Sequence, residues 1–334
     1  DAAKKNGITA IIASDQAVIQ YCASAGMPVH MSTQTNISNI AAVNYWAQYA
    51  DVMVTARELS LEQVAVITKQ IRKQKIKGPS GSLVQIEVFA HGALCMAISG
   101  KCYLSLDHYN ASANRGACYQ LCRSPYKVTD FDGEIELAVD NEYIMSPKDL
   151  CTIGFLDKII AAGVTVLKIE GRGRSPEYVS TVVQCYREAV DAVLSGTYTQ
   201  KKVAAWMKRL DQVYNRGFWD GYYLGRKMGE WADQHGSVAT RHKEYVGKIT
   251  NYFKKLKVAE IRMESGHLSP GDLIYIQGPT TGSLEMQIPE IRVDLNTVKK
   301  TVKGEDCSIP VGTMLRRADR VYKITQKSKV KSQN

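Results

Sequence analysis

A chain of 334 residues with 45% hydrophobic content and ordinary Gly and Pro counts can bury a full core, so it is no small scaffold that needs disulfide staples. No apolar run of membrane-spanning length and no signal-peptide pattern is visible, which makes a soluble, cytoplasmic protein the expectation. The formal charge of +10 is uneven: residues 241–334 hold 18 Lys and Arg against 10 Asp and Glu, leaving only +2 for the first 240.

Strand-like and helical runs alternate through the first 240 residues. Apolar, β-branched runs stand at Ile8 to Ala13, Val29 to Ser32, Val52 to Thr55, Val84 to Phe89 and Val164 to Ile169. Ser60 with Gln63 forms a capping box before Val64, Ile67 and Ile71. The same grammar predicts a helix capped by Ser146, with Pro147 in its first position, Asp149 closing the box, and Leu150, Ile153, Leu156 and Ile160 on its face. Ser175 and Pro176 open another, with Val179, Val182, Val183, Tyr186 and Val190 as its buried stripe. This alternation implies an α/β fold, a parallel sheet covered by helices.

From about Tyr245 the period changes to short strand runs, VGKIT, KVAEIRM, DLIYIQG, LEMQIPEIRVD and TMLRRADRVYKI, broken by Ser-Gly, Pro-Gly and Gly-Pro turns. That pattern predicts a small antiparallel β-barrel. The expected organisation is residues 1–240, with a Cys-rich insertion over 92–145, then the small barrel over 241–326 and a basic tail over 327–334. A basic surplus concentrated in the C-terminal module points to a phosphate-backbone partner, or else to a merely solvated surface. Trp206 to Trp231, rich in aromatics, Gly and Arg, can stack bases or pack a domain junction.

Four of eight cysteines fall between Glu87 and Arg123. Six residues separate Cys95 from Cys102, fifteen separate Cys102 from Cys118, and three separate Cys118 from Cys122. Four thiolates can hold zinc or an iron–sulfur cluster; structural zinc usually shows two tight knuckles, and only the last pair has that form. The wide first gap favours the cluster. Buried free cysteines are the plainer alternative, but Gly92, Gly100, Lys101, Asn114, Arg115 and Gly116 interleave the four with loop formers. Cys22 and Cys185 fit apolar helical positions, and Cys307 reads as inert.

The run Glu87, Phe89, His91, Gly92, Ala93, Cys95, Ser99, Gly100, Cys102, Ser105, followed by Asn114, Arg115, Gly116, Cys118 and Cys122, resembles the signature of peptidase family U32. The segment LKIEGRGRSPEYV, Leu167 to Val179, resembles that family's second signature. The resemblance implies either a collagenase-like, metal-dependent protease or an oxygen-independent hydroxylase. In the second case it implies a four-iron cluster, 4Fe-4S, on Cys95, Cys102, Cys118 and Cys122, with Cys151 as the reserve ligand for Cys122. It also implies tRNA uridine as substrate, converted to 5-hydroxyuridine, and prephenate, a dicarboxylate, as oxygen source. For the fold it implies a (β/α) TIM-like barrel. Relatives begin with three further βα units, so this chain is expected to lack them.

In such a barrel, active residues gather at the carboxyl ends of the strands. Those ends supply Asp15, Thr33 with Gln34, Arg57 with Glu58, His91, and Lys168, Glu170 and Arg172. Glu87 is either a solvated strand residue or a buried carboxylate that needs a partner. His91 suits a general base, a substrate-orienting group or a turn residue. Lys168, Glu170 and Arg172 alternate toward one side of the pleat. With Arg57 and Gln34, Lys168 and Arg172 make a candidate anion site, while Glu87, His91 and Glu170 are the candidates for proton chemistry. A peptidase would need a nucleophile with a base or an open zinc; no HExxH run and no GxSxG elbow is present.

Overall fold

The computed structural model describes residues 1–126, 145–225, 230–233 and 236–326. The expected basic tail and the stretch 127–144 of the Cys-rich insertion lie outside the described residues. The chain divides into two compact units, one of residues 1–172, 182–210 and 215–238, the other of 173–181, 211–214 and 239 onward. Among the described residues no helix is long and apolar enough to cross a membrane.

The first unit is the expected α/β layer. Its strands are β1 (Ile11–Ala13), β2 (Val29–Met31), β3 (Val52–Val54), β4 (Gln85–Gly92), β5 (Asp149–Cys151), β6 (Val166–Ile169) and β7 (Phe218–Trp219). Helices α1 (Ala2–Lys5), α2 (Gln16–Ser24), α3 (Ile40–Trp46), α4 (Leu61–Gln74), α5 (Leu104–Tyr109), α6 (Leu156–Ala161), α7 (Pro176–Leu194) and α8 (Gln200–Leu210) connect or follow them. β1, β2, β3, β4 and β6 pair in parallel and in chain order, so all five predicted strands join one sheet. Among the described residues β1 pairs only with β2, so no closed barrel is formed. The Ser60–Gln63 capping box is present in both directions, and Val64, Ile67 and Ile71 are buried beneath it.

Two helical expectations need correction. Asp149–Cys151 is a strand, antiparallel to the end of β4 through His91 opposite Cys151, and parallel to β7. The Asp149 carboxylate serves as a buried counterion, with Arg216 Nη1 at 3.3 Å, rather than closing a capping box. Ser146 Oγ accepts from Arg123 instead of capping, and the helix starts later, at Leu156. A tertiary ion pair has overridden the local signal. On α7 the buried stripe is Tyr178, Val182, Cys185, Tyr186 and Ala189, whereas Val179 and Val183 are 39% and 47% exposed.

The aromatic segment after α8 packs inward. Trp206, Trp219 and Tyr223 are buried, Trp206 Nε1 donates to Glu188 at 2.8 Å, and Tyr223 Oη donates to the Phe89 carbonyl at 2.8 Å. Packing, not base stacking, accounts for these rings. Cys22, Cys185 and Cys307 are buried as expected, and burial pushes the Cys185 thiol up to about 11 and the Cys307 thiol up to about 12.

The second unit carries one antiparallel sheet of β8 (Arg241–Phe253), β9 (Val258–Met263), β10 (Leu273–Gly278), β11 (Gly282–Gln287), β12 (Arg292–Val293), β13 (Asn296–Thr297), β14 (Asp306–Pro310) and β15 (Arg320–Gln326). Their spatial order is β11-β10-β15-β8-β9-β14-β12-β13. Val246, Ile249, Ile261, Ile274, Ile309 and Val321 share a single apolar core, which the period-2 alternation of these strands supplies. The expected antiparallel module is therefore present, and no pairing joins β11 to β13 among the described residues.

Candidate active site

The site is built around Phe89. Glu87 and Phe89 stand two apart on β4 and so face one side of the sheet. Glu87 is 4% exposed, and its Oε1 lies 3.3 Å from Lys168 Nζ, contributed by the adjacent strand β6. His30 Nδ1, from β2, stands 3.4 Å from Glu87 Oε2, although that oxygen accepts no well-formed hydrogen bond. The partner that burial demands of a strand carboxylate is thus supplied at Oε1 by Lys168 from the adjacent strand, with His30 close to the other oxygen.

Arg57 follows β3 and lays its guanidinium 4.2 Å from the centre of the Phe89 ring. Its Nε and Nη1 are buried and have no hydrogen-bond partner among the described residues. Burial lowers its pKa from the ordinary value, and Cys95, Glu170, Tyr223 and Glu58 pull the other way. Buried guanidinium nitrogens of this kind are well suited to an anion, which can take charge-assisted hydrogen bonds from them.

The other predicted ligands are placed differently. Lys168 is held by Glu87. Arg172 is exposed and donates to the Gly116 carbonyl at 2.9 Å, while its backbone N–H is accepted by Glu170 Oε1 at 3.0 Å. Gln34 accepts from Ser14 Oγ at 2.7 Å and lies against Gly100, where an added Cβ would sit 3.0 Å from its Cδ. Arg172 and Gln34 therefore meet the cysteine loop at Gly116 and Gly100, both with positive φ. His91 is 1% exposed, packed between the Tyr186 and Phe218 rings, with its Nδ1 3.4 Å from Tyr186 Oη.

Arg123 clamps the cysteine loop. Its Nη2 donates to the Leu94 carbonyl and its Nη1 to the Pro147 carbonyl, each at 2.6 Å, which ties the Cys95 end to the Cys122 end. Ser105 Oγ accepts from the Tyr119 N–H at 3.0 Å and fixes the middle. Cys95 and Cys118 are exposed, and Cys102 and Cys122 half-buried. Burial pushes the Cys122 thiol up, Arg123 pulls it down, and Cys95, Cys118 and Cys102 each push it up further, so all three act on it electrostatically. Among the described residues no three of His, Cys, Asp and Glu close on one point as ligands of a single ion. Cys151 is buried on β5, 3.9 Å from Tyr186 Oη and 3.8 Å from Met207 Sδ.

Residues 1–233 match the model of peptidase family U32. The chain belongs to this family. The U32 relatives it matches carry two kinds of name. A protein of Porphyromonas gingivalis (strain ATCC BAA-308 / W83) named collagenase is 54% identical over 327 residues, 98% of this chain and 79% of that protein. The tRNA hydroxylation protein P1 of Bacillus subtilis (strain 168) is 33% identical over 281 residues, 81% of this chain and 63% of that protein. The 23S rRNA 5-hydroxycytidine C2501 synthase of Escherichia coli (strain K12) is 29% identical over 233 residues, 68% of this chain and 33% of that protein. Named relatives on both sides are enzymes.

Within this U32 chain, sequence reasoning missed His30, Arg123 and Tyr223. His30 sits mid-strand in the VHM run, where nothing local marks it; Arg123 adjoins Cys122, and that adjacency was a usable signal.

Proposed function

We propose that the chain is an iron–sulfur, RNA-modifying hydroxylase that acts without oxygen on a tRNA uridine to give 5-hydroxyuridine, taking the oxygen from prephenate. The observation that carries this reading is Arg57, whose buried Nε and Nη1 have no hydrogen-bond partner among the described residues and whose guanidinium stacks on Phe89 and bears electrostatically on Cys95. A carboxylate of a small dicarboxylate suits that pair of N–H groups. The relatives named for tRNA and rRNA hydroxylation support the substrate class, and a tRNA substrate would place the protein in the cytoplasm.

In this reading Cys95, Cys102, Cys118 and Cys122 would hold a 4Fe-4S cluster by closing further than the described residues do, since no three of them already converge on one point. The four come from one loop, whose two ends the Arg123 guanidinium ties together, and the other three cysteines all bear on Cys122 electrostatically. Bound there, a cluster would supply one-electron chemistry. Around it Arg57 orients the anion, Phe89 floors the site and the Arg172 and Gln34 contacts hold the loop over the sheet end. Glu170, which bears electrostatically on Arg57, would be the carboxylate that takes up a proton. Glu87 keeps Lys168 in position beneath Phe89. The five parallel strands in chain order bring these residues to one end of a sheet, where α/β folds gather their chemistry.

The collagenase name of the 54% identical relative favours a second reading, a peptidase, in which an exposed thiol such as Cys95 or Cys118 would serve as nucleophile or zinc ligand. Anaerobic incubation of the protein with unmodified tRNA and prephenate, followed by nucleoside mass spectrometry, separates the two. Appearance of 5-hydroxyuridine is expected. Cleavage of collagen with no modified nucleoside would replace the first reading with the second.

A further inference from the structure

Within the second unit most cations on the sheet are answered by carboxylates: Arg241 by Glu285, Lys243 by Glu177, Lys248 by Glu264, Arg262 by Asp306 and Lys323 by Asp272. At one end of the sheet the pattern stops. Lys254, Lys255 and Lys257 on the β8–β9 turn, and Arg316 and Arg317 before β15, are all exposed and have no carboxylate partner among the described residues.

The backbone holds these two groups side by side. The Val311 N–H donates to the Lys257 carbonyl at 2.8 Å, Tyr252 Oη to the Val311 carbonyl at 3.0 Å, and the Ala318 N–H to the Ile249 carbonyl at 2.8 Å. Between them lies a groove of about 560 Å³ lined by Asn251, Tyr252, Lys254, Met314, Arg316 and Arg317, with Thr250 and Glu260 at its base. The one carboxylate in that lining, Glu260, accepts from Thr250 Oγ1 at 2.6 Å. Phe253 and Leu256, 41% and 72% exposed, stand on the same turn as the three lysines.

We infer that this end of the antiparallel sheet is an RNA-docking surface, which takes the sugar-phosphate backbone of a structured RNA in the groove between the β8–β9 turn and the Arg316–Arg317 segment. The inference rests on the RNA-modifying reading above and adds the place where the RNA is held. Five uncompensated cations on two neighbouring segments match a polymer of regularly spaced phosphates. The Asn251 side-chain amide suits phosphate and 2′-hydroxyl oxygens, and the exposed Phe253 ring offers a face for an unpaired base.

The test compares the full chain with two variants, each checked for an unchanged thermal melt. The groove variant carries Lys254→Ala, Lys257→Ala, Arg316→Ala and Arg317→Ala. The control removes the equally exposed Lys299, Lys300 and Lys303 from the loop between β13 and β14. Fluorescence anisotropy with labelled tRNA is read from low to physiological salt. The groove variant should weaken binding by roughly 30-fold and lower the slope of log affinity against log salt by about 3, from four lost phosphate contacts. The control should change affinity less than about threefold. Equal losses in both variants, or none in the groove variant, overturn the surface. So does competition by polyglutamate as strong as that by unlabelled tRNA, which would assign the groove to an acidic protein. If the groove variant keeps its affinity while the parent still forms 5-hydroxyuridine, the surface fails and the function stands. If the parent neither binds nor modifies tRNA, both fail.

Discussion

Arg216 is buried and the half-buried Arg57 has two of its side-chain nitrogens withdrawn from water, yet their surroundings treat them in opposite ways. Arg216 faces Asp149 at 3.3 Å, donates from Nη2 to Gln120 Oε1 at 3.4 Å, and donates its backbone N–H to Asp149 Oδ2. Arg57 has an aromatic face and, at Nε and Nη1, no hydrogen-bond partner among the described residues. The first arrangement closes on itself and fixes β5 against the segment before β7. The second stays incomplete until something binds, which separates a scaffold charge from a site charge better than burial alone.

Breaking the first arrangement should cost the most. Arg216→Met leaves the Asp149 carboxylate buried without its cation and should lower unfolding free energy by about 3–5 kcal/mol in denaturant titration. Asp149→Leu added to it should recover much of that loss. Arg57→Met inverts the pattern: stability should move by no more than about 1 kcal/mol, because an unsatisfied buried cation has been removed, while anion-dependent turnover falls about 100-fold or more with two charge-assisted hydrogen bonds gone. Parallel melts and single-turnover assays on both variants check the crossing of effects. If Arg57→Met destabilises as much as Arg216→Met, Arg57 is also scaffold.

The difference between these arginines also marks where the sequence was legible. β-branched alternation announced all five parallel strands, and the Ser60–Gln63 box announced α4, because both signals are local. The Ser146–Asp149 run has the same local grammar, yet Asp149 is taken by Arg216, 67 residues away, and the run becomes a strand edge. The need of Glu87 for a partner followed from its strand, but His30 and Lys168 could be matched to it only once β2, β4 and β6 lay in one sheet. The cysteine loop was visible from composition, whereas the Arg123 clamp that joins its ends depends on two backbone carbonyls.

Smaller effects sharpen the comparison. Tyr223→Phe removes the donor to the Phe89 carbonyl and should cost about 1–3 kcal/mol in stability, with a lesser effect on turnover, since Phe89 supports Arg57. In the second unit, burial pushes Glu177 up, but hydrogen bonds from Lys243 and Ser175 outweigh it and hold the carboxyl below its ordinary value. A depressed carboxyl stabilises the fold above its unfolded pKa of about 4.3, and that contribution is lost as pH falls through the depressed value. Glu177→Gln should therefore flatten the acid limb of stability against pH by less than about 1 kcal/mol, measured by melting between pH 3 and pH 6, roughly the carboxylate range.

The most direct measurement is iron and acid-labile sulfide analysis of the anaerobically purified chain, taken with its visible absorption spectrum. A 4Fe-4S centre on Cys95, Cys102, Cys118 and Cys122 predicts about four iron and about four sulfide per chain, with a brown absorption lost when Cys95 and Cys122 are both changed to Ser. A colourless protein holding one zinc per chain would contradict it.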